Sequence, residues 1–274
     1  MNRKAIIFGV KGYKLSKKEK LFLKKNKPWG IILFSRNVKN INQLKNLTKS
    51  IKELFNDEKY PILIDQEGGR VSRLNKIIDL KYFTQLFFGN LYSKNRKLFS
   101  IFYKIYIDKV CEILKTSGIN INTVPVLDVL RNNSHKIIGD RSFSSNENKV
   151  QLIGKECINF YGKNKVATVI KHIPGHGKSS VDSHHDTPII SISKKELIKK
   201  DFKPFMKSKS FFAMTAHAIY TSFDSKHTAT HSKIMIKNII RNHIGFKGII
   251  ISDDISMKSL KYKLEENATK SLNA

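Results

Sequence analysis

A lysine, three histidines and an aspartate crowd one short stretch of this chain. Lys171-His172-Ile173-Pro174-Gly175-His176-Gly177 is followed, five residues on, by Asp182-Ser183-His184. Histidine gives and takes protons near neutral pH, and a carboxylate two residues away can orient and polarise it, so Asp182 and His184 have the spacing of an acid/base pair. A rival chemistry is metal ligation by His172, His176, His184, His185 and Asp186. One loop fixes neither ligand number nor geometry, and metal hydrolases built on barrels draw their ligands from several strands. The glycines and the proline mark a loop, and loops set on rigid strands carry much of the function of proteins.

Three further segments bear reactive side chains. Asp65-Gln66-Glu67-Gly68-Gly69-Arg70-Val71-Ser72-Arg73 carries two carboxylates and two arginines around a Gly-Gly turn. A carboxylate there can accept sugar hydroxyls and an arginine can donate to several oxygens; an internal Asp–Arg ion pair tying the loop down explains the pattern equally well. Ile138-Gly139-Asp140-Arg141-Ser142-Phe143 reads by itself as a turn carrying an arginine. In Ser252-Asp253-Asp254 a carboxylate follows an apolar run. It suits a nucleophile or an electrostatic stabiliser, while the same residue types are good helix N-caps. One of them can cap while another reacts.

All four segments hang on apolar runs. Residues 5–10, 30–34, 61–64, 121–125, 167–170, 212–215 and 248–251 read as strands, with helical patterns at 41–55, 99–116 and 150–161 between them. The stretch 79–95 is aromatic-rich and irregular and reads as a loop with a short helix. Strand–helix alternation implies a parallel sheet with crossover helices. Continuously apolar strands imply burial on both faces. Every strand but the first leads into polar residues: Ser35, Arg36 and Asn37; Asp65, Gln66 and Glu67; Asp128; Lys171 and His172; His217; Ser252, Asp253 and Asp254. Polar groups at nearly all strand C-termini favour a barrel over an open sheet, which gathers them at its switch point. The expected fold is therefore α/β, a TIM-type (β/α)8 barrel. Seven strands are counted where closure needs eight, so the expectation is one catalytic barrel over residues 1–274, truncated before its eighth strand and poorly stable alone.

Composition narrows the partners. The 274 residues hold 51 Lys and Arg against 22 Asp and Glu, a net charge of +29. Such an excess raises affinity for polyanions. Here it is mostly lysine spread through every segment, without the basic stripe or module signature of a nucleic-acid binder. Cys111 and Cys157 form no CxxC pair and sit in apolar helical patterns, so buried free thiols are expected. The N-terminal apolar run is too short for a signal-peptide core and reads as a first strand. No run approaches the ~20 apolar residues of a membrane span. The expectation is a cytoplasmic protein, a monomer before any other assembly, with no nucleic-acid and no membrane partner.

Taken together, IDQEGGRVSRL, NTVPVLDV, IGDRSF, KHIPGHG with DSH, MTAHAIY and ISDDISM resemble glycoside hydrolase family 3, and within it the single-domain bacterial β-N-acetylglucosaminidases. The motifs stand in family order from about Ala5 to the end of the chain. The resemblance implies a retaining, two-step hydrolysis without metal or organic cofactor. Asp253 matches the nucleophile, His184 the acid/base and Asp182 its dyad partner. Asp65, Arg73, Arg141, Lys171 and His172 match positions that hold the terminal N-acetylglucosamine. The implied substrate is a small saccharide or muropeptide of the bacterial wall, N-acetylglucosamine linked to anhydro-N-acetylmuramic acid with or without its peptide, and the implied role is peptidoglycan recycling. Family members that are β-glucosidases take a carboxylate acid/base from a second domain, for which this chain has no room. The alternative is a basic sugar- or polyanion-binding pseudoenzyme on the same barrel.

Overall fold

The computed structural model describes residues 2–131, 138–176 and 186–274. In chain order the elements are β1 (Lys4–Gly9), α1 (Lys17–Asn26), β2 (Pro28–Leu33), α2 (Ile41–Phe55), β3 (Ile62–Ile64), α3 (Gln85–Lys94), α4 (Arg96–Thr116), β4 (Ile121–Asn122), α5 (Glu147–Lys163) and β5 (Ala167–Ile173). There follow β6 (Ile189–Ile190), α6 (Lys194–Glu196), which runs on as a π-helix over Leu197–Asp201, β7 (Phe212–Thr215), β8 (Ile219–Tyr220), β9 (Asp224–Thr228), a π-helix over Met235–His243, β10 (Ile249–Ser252) and α7 (Leu264–Asn273).

Seven strands form one curled, all-parallel sheet in the order β1-β2-β3-β4-β5-β7-β10. This is the strand layer of a TIM-type α/β barrel, and its members are the seven apolar runs read from the sequence. Their continuous hydrophobicity follows from the two sides they bury. Leu63, Ile121, Val169 and Met214, one from each of four strands, make an inner cluster with Ile7, Trp29, Ile32, Phe212 and Ile251. The alternating residues Ile62, Ile64, Ile170 and Ala213 belong instead to the larger core under the helices. Side chains alternate across a strand, so a strand sandwiched this way must be apolar at every position.

Local signals set the helix ends. The Ser16 side chain accepts from the Glu19 N–H while Glu19 reaches back to Ser16, a capping box that starts α1. Asn40 and Asn146 cap α2 and α5 through their side-chain oxygens. Cys111 and Cys157 are free and buried. No helix of the described residues is long and apolar enough to cross a membrane.

Three details differ from the sequence reading. The fourth strand, expected over 121–125, is only Ile121–Asn122. Pro125 has no N–H for the ladder, and pairing to β5 resumes only as the isolated bridge Val126–Lys171. The fifth strand runs on to Ile173, because Leu127 N–H donates to Lys171 O (2.7 Å) and Ala216 N–H to Ile173 O (2.9 Å). The stretch 79–95 is, as read, a loop with a short helix, α3, started by Thr84, whose hydroxyl accepts from Phe87 N–H. A three-stranded sheet β6-β8-β9 lies outside the barrel sheet.

Gly89 explains why α3 can lie where it does: a Cβ there would stand 1.7 Å from the Phe143 carbonyl oxygen. Gly89→Ala is expected to destabilise the fold by about 3 kcal/mol through overpacking. Gly162 in α5 has nothing within 4 Å of its virtual Cβ, so Gly162→Ala should stabilise by about 0.5–1 kcal/mol through helix propensity. Urea denaturation of both variants checks the pair, and equal effects would contradict this packing.

Candidate active site

The C-terminal ends of β3, β4, β5, β7 and β10 converge at one mouth. After β3 the chain passes through Asp65, Gln66 and Glu67. The buried Gln66 ties this loop down. Its main chain is held by the Asn122 side chain, which accepts from Gln66 N–H (3.0 Å) and donates to Gln66 O (2.9 Å). Its own side-chain oxygen accepts from the N–H groups of Arg73 (2.8 Å) and Leu74 (3.0 Å). Gly68, at φ +95°, runs so close under Phe83 that a Cβ would lie 2.3 Å from its carbonyl oxygen, which only glycine tolerates.

The Lys171 ammonium, 1% exposed, sits between two carboxylates. It lies 2.5 Å from Asp65 Oδ1 and 2.6 Å from Glu67 Oε1, and donates to Thr123 Oγ1 at 3.1 Å. Thr123 in turn donates to Asp65 Oδ1. Arg73 Nη2 donates to Asp65 Oδ2 (3.1 Å). Arg141 grips Glu67 with two parallel bonds of 2.8 Å, Nε to Oε2 and Nη2 to Oε1, the strong bidentate form. Burial pushes both carboxyls up, but Lys171 and Arg73 at Asp65, and Arg141 and Lys171 at Glu67, outweigh it and hold both below the usual range. Burial likewise disfavours the Lys171 cation, and the two carboxylates more than restore it.

A second network flanks the first. Asp128, fully buried, accepts from His172 Nδ1 (2.6 Å) and His172 main-chain N–H (3.2 Å) at Oδ2, and from His176 N–H (2.6 Å) at Oδ1. His172 Nε2 faces Asp253 Oδ2 at 3.9 Å. Asp253 Oδ1 accepts from Asp254 N–H (2.8 Å). Burial raises the Asp253 carboxyl, and the nearby His172 and His217, with the Asp254 N–H, bring it below the usual value. No helix starts here, contrary to the N-cap reading; Asp254 closes a turn, its side chain accepting from the Ser256 N–H (2.9 Å) and hydroxyl (2.6 Å). Asp253 is thereby left with one oxygen directed at the mouth, and its side chain is 27% exposed.

His217, at the end of β7, holds that turn. Its Nε2 lies 3.1 Å from the Asp254 carbonyl oxygen and its Nδ1 2.7 Å from Thr230 Oγ1. A carbonyl only accepts, so Nε2 carries the hydrogen and the neutral ring accepts the Thr230 hydroxyl at Nδ1. Burial pushes the His217 ring down, in keeping with a neutral imidazole.

A carboxylate with a free oxygen beside a histidine, next to a clamp of buried charges, is what an enzyme acting on a hydroxyl-rich substrate needs. The family comparison agrees. Residues 4–274 match the model described as the glycosyl hydrolase family 3 N terminal domain. The chain belongs to glycoside hydrolase family 3. Its relatives within the family include the β-hexosaminidases of Psychromonas ingrahamii, 33% identical over 94% of this chain and 75% of that protein, and of Neisseria gonorrhoeae, 35% identical over 93% and 71%. Among solved structures, NagZ from Neisseria gonorrhoeae in complex with N-trifluoroacetyl-D-glucosamine superposes with a TM-score of 0.87 at 32% identity, over 99% of this chain and 79% of that one. A family 3 β-N-acetylglucosaminidase from a Paenibacillus strain superposes with a TM-score of 0.89 at 26% identity; this chain spans about half of it, 51%. The chain is thus a family 3 member of the NagZ type.

Of the eight site residues expected from the sequence, this family 3 structure brings six together: Asp65, Arg73, Arg141, Lys171, His172 and Asp253. His184 and Asp182 lie outside the described residues. The metal reading of the histidine loop also rests partly there. Among the described residues no group of three His, Cys, Asp or Glu side chains is placed to hold a metal, and His172 Nδ1 is bonded to Asp128. Glu67, Asp128 and His217 were not among the expected site residues, although each stands at a strand end. Their partners are 74, 44 and 37 positions away, a separation no local pattern reveals.

Two expectations follow for stability. Glu67→Gln leaves the buried Lys171 and Arg141 with one carboxylate fewer, and should cost about 3–5 kcal/mol in chemical denaturation; a loss below about 1 kcal/mol would mean the pair is dispensable. Burial also pushes His176 and His231 down from 6.5 to about 4. Between those values the unfolded chain binds about two more protons than the folded one, so stability rises with pH across the window and is lost as pH falls through it. Urea midpoints at pH 7 and pH 5 should differ accordingly, with the lower at pH 5. His231→Gln should remove about half of the difference.

Proposed function

We propose that this family 3 chain is a retaining exo-β-N-acetylglucosaminidase that releases terminal, non-reducing N-acetylglucosamine through a covalent glycosyl-enzyme. That it is a glycoside hydrolase, a β-N-acetylhexosaminidase, follows from its family and from relatives named for that activity. The observation that carries the finer reading is Asp253 Oδ2 beside His172 Nε2, 3.9 Å away, next to the Asp65–Lys171–Glu67–Arg141 clamp.

In this reading Asp65 and Arg73, Lys171 and Arg141, and His172 hold the sugar hydroxyls. Groups already oriented by their neighbours cost little reorganisation when substrate arrives. The clamp sets the ring so that Asp253 Oδ2 meets the anomeric carbon. Because its carboxyl is held below the usual value, Asp253 is an anion at neutral pH, as attack requires. The Asp253 oxygen bonds to the anomeric carbon as the glycosidic bond breaks, and His184 gives its proton to the leaving oxygen. Water then attacks the same carbon, gives a proton to His184, and frees Asp253. Asp182 pairs with His184 and tunes it. Retaining enzymes commonly use two carboxylates, the acid with a raised pKa; a histidine titrates near neutrality without such help. The proposed substrates are peptidoglycan fragments ending in N-acetylglucosamine, with or without peptide, met in the cytoplasm during wall recycling. That placement rests on the motif resemblance. No metal or organic cofactor enters any step.

The test is hydrolysis of an aryl β-N-acetylglucosaminide beside the aryl β-glucoside. Only the former should be cleaved. Asp253→Ala should lose activity by at least about 1,000-fold. His184→Ala should lose about 100- to 10,000-fold on a disaccharide, and far less on an aryl glycoside whose leaving group needs no proton. A folded protein that binds N-acetylglucosamine and cleaves neither substrate would point to the sugar-binding pseudoenzyme.

A further inference from the structure

Asp128 follows the short strand β4, and its side chain is 1% exposed. Its three donors come from His172, near the end of β5, and from His176, three residues beyond that strand: His172 N–H, His172 Nδ1 and His176 N–H. Backbone N–H groups donate to any oxygen acceptor, but the ring bond is selective. An ionised carboxylate offers acceptors only, and Asp128 is held in that form by His172 and His176 against the upward push of burial. The hydrogen of a neutral His172 ring must therefore sit on Nδ1. The bare nitrogen is Nε2, the one that stands 3.9 Å from Asp253 Oδ2. A hydroxyl of bound sugar can donate its hydrogen to Nε2.

We propose that Asp128 is a positioning residue for the reaction: it fixes the tautomer and the plane of His172 so that Nε2 meets a substrate hydroxyl beside Asp253. The proposal rests on the glycosidase reading for its effect on rate, but not for the tautomer. It parallels the carboxylate that orients a histidine in hydrolase triads, where loss of the charge with geometry intact leaves the ring in the wrong form. Unlike that case, the histidine here holds substrate and is not the base. The neighbouring His217 takes the opposite tautomer because its Nε2 meets a carbonyl, so the site sets two rings in two different ways by the same rule.

The experiment uses the full chain labelled with nitrogen-15 in its histidine rings, with the His172 signals assigned by their loss in His172→Gln. At a pH where the ring is neutral, wild type should show a protonated Nδ1 and a bare Nε2. A protonated Nε2 would overturn the proposal without recourse to any variant. Asp128→Asn keeps the volume but gives one acceptor oxygen to three donors. It should lower kcat/KM on the aryl N-acetylglucosaminide by about 100-fold, while circular dichroism and cooperative melting are retained. A folded Asp128→Asn within twofold of wild type would also overturn it. If this variant does not fold, the wild-type spectrum decides. A wild type with the expected tautomer but no hydrolytic activity would defeat the glycosidase reading and leave the tautomer assignment standing.

Discussion

A lysine ammonium buried between two carboxylates is the constraint around which this mouth is built. An unpaired charge in a protein interior costs several kcal/mol, and a pair repays that only when the remaining donors and acceptors are also met. Lys171 meets the condition with Asp65, Glu67 and Thr123. Each carboxylate is then closed by an arginine from another segment, Arg73 on Asp65 and Arg141 on Glu67. The network joins the ends of β3 and β5, and the Gly139–Arg141 turn, at fixed distances. Removing one member leaves the others with a desolvated charge, so the three segments hold their positions together.

The same economy runs through the histidines. Each ring is read by a neighbour that can only accept: Asp128 for His172 and the Asp254 carbonyl for His217. The two rings approach Asp253 from β5 and β7, adjacent strands in the sheet, and Asp254 closes the turn with Ser256. The carboxylate with one free oxygen is therefore a consequence of several satisfied bonds around it. Electrostatic preorganisation of this kind is where enzymes gain most.

Much of this was legible in the sequence, and the reasons are specific. Seven apolar runs with polar ends gave the parallel barrel, because a strand buried on both faces has no alternative pattern. Proline at 125 marked a place where pairing must fail, yet the run of apolar residues around it read as strand. The short β6, β8 and β9 carry too few residues for any period. At the site, the two readings of Asp65 and Arg73, ion pair or ligand group, prove compatible: they bond to one another while Asp65 keeps 21% of its side chain exposed. The helix N-cap reading of Ser252-Asp253-Asp254 does not hold: no helix starts there, α7 begins only at Leu264, and Asp254 closes a local turn with Ser256 instead. Glu67 counted as one of two carboxylates in its segment but was given no role, since its worth depends on Arg141, far along the chain. Periodicity reports burial; it does not report which charges meet.

The net charge bears on what such a site can hold. The chain carries +29, yet among the described residues the mouth does not share the excess. Asp65, Glu67, Asp128 and Asp253 stand there against Lys171, Arg73 and Arg141, and the nearby Arg70 and Arg131 lie against Asp140 and Asp201. A polyanion would need uncompensated cations in a groove, released from counterions on binding. Among the described residues the charges of the mouth are instead set against one another in pairs. They offer oriented donors and acceptors to a neutral, hydroxyl-rich molecule, whose own groups can exchange water for them at little cost. The lysines outside the mouth and the acids within it thus answer to different pressures, and only the second set is arranged by the fold around a saccharide-sized task.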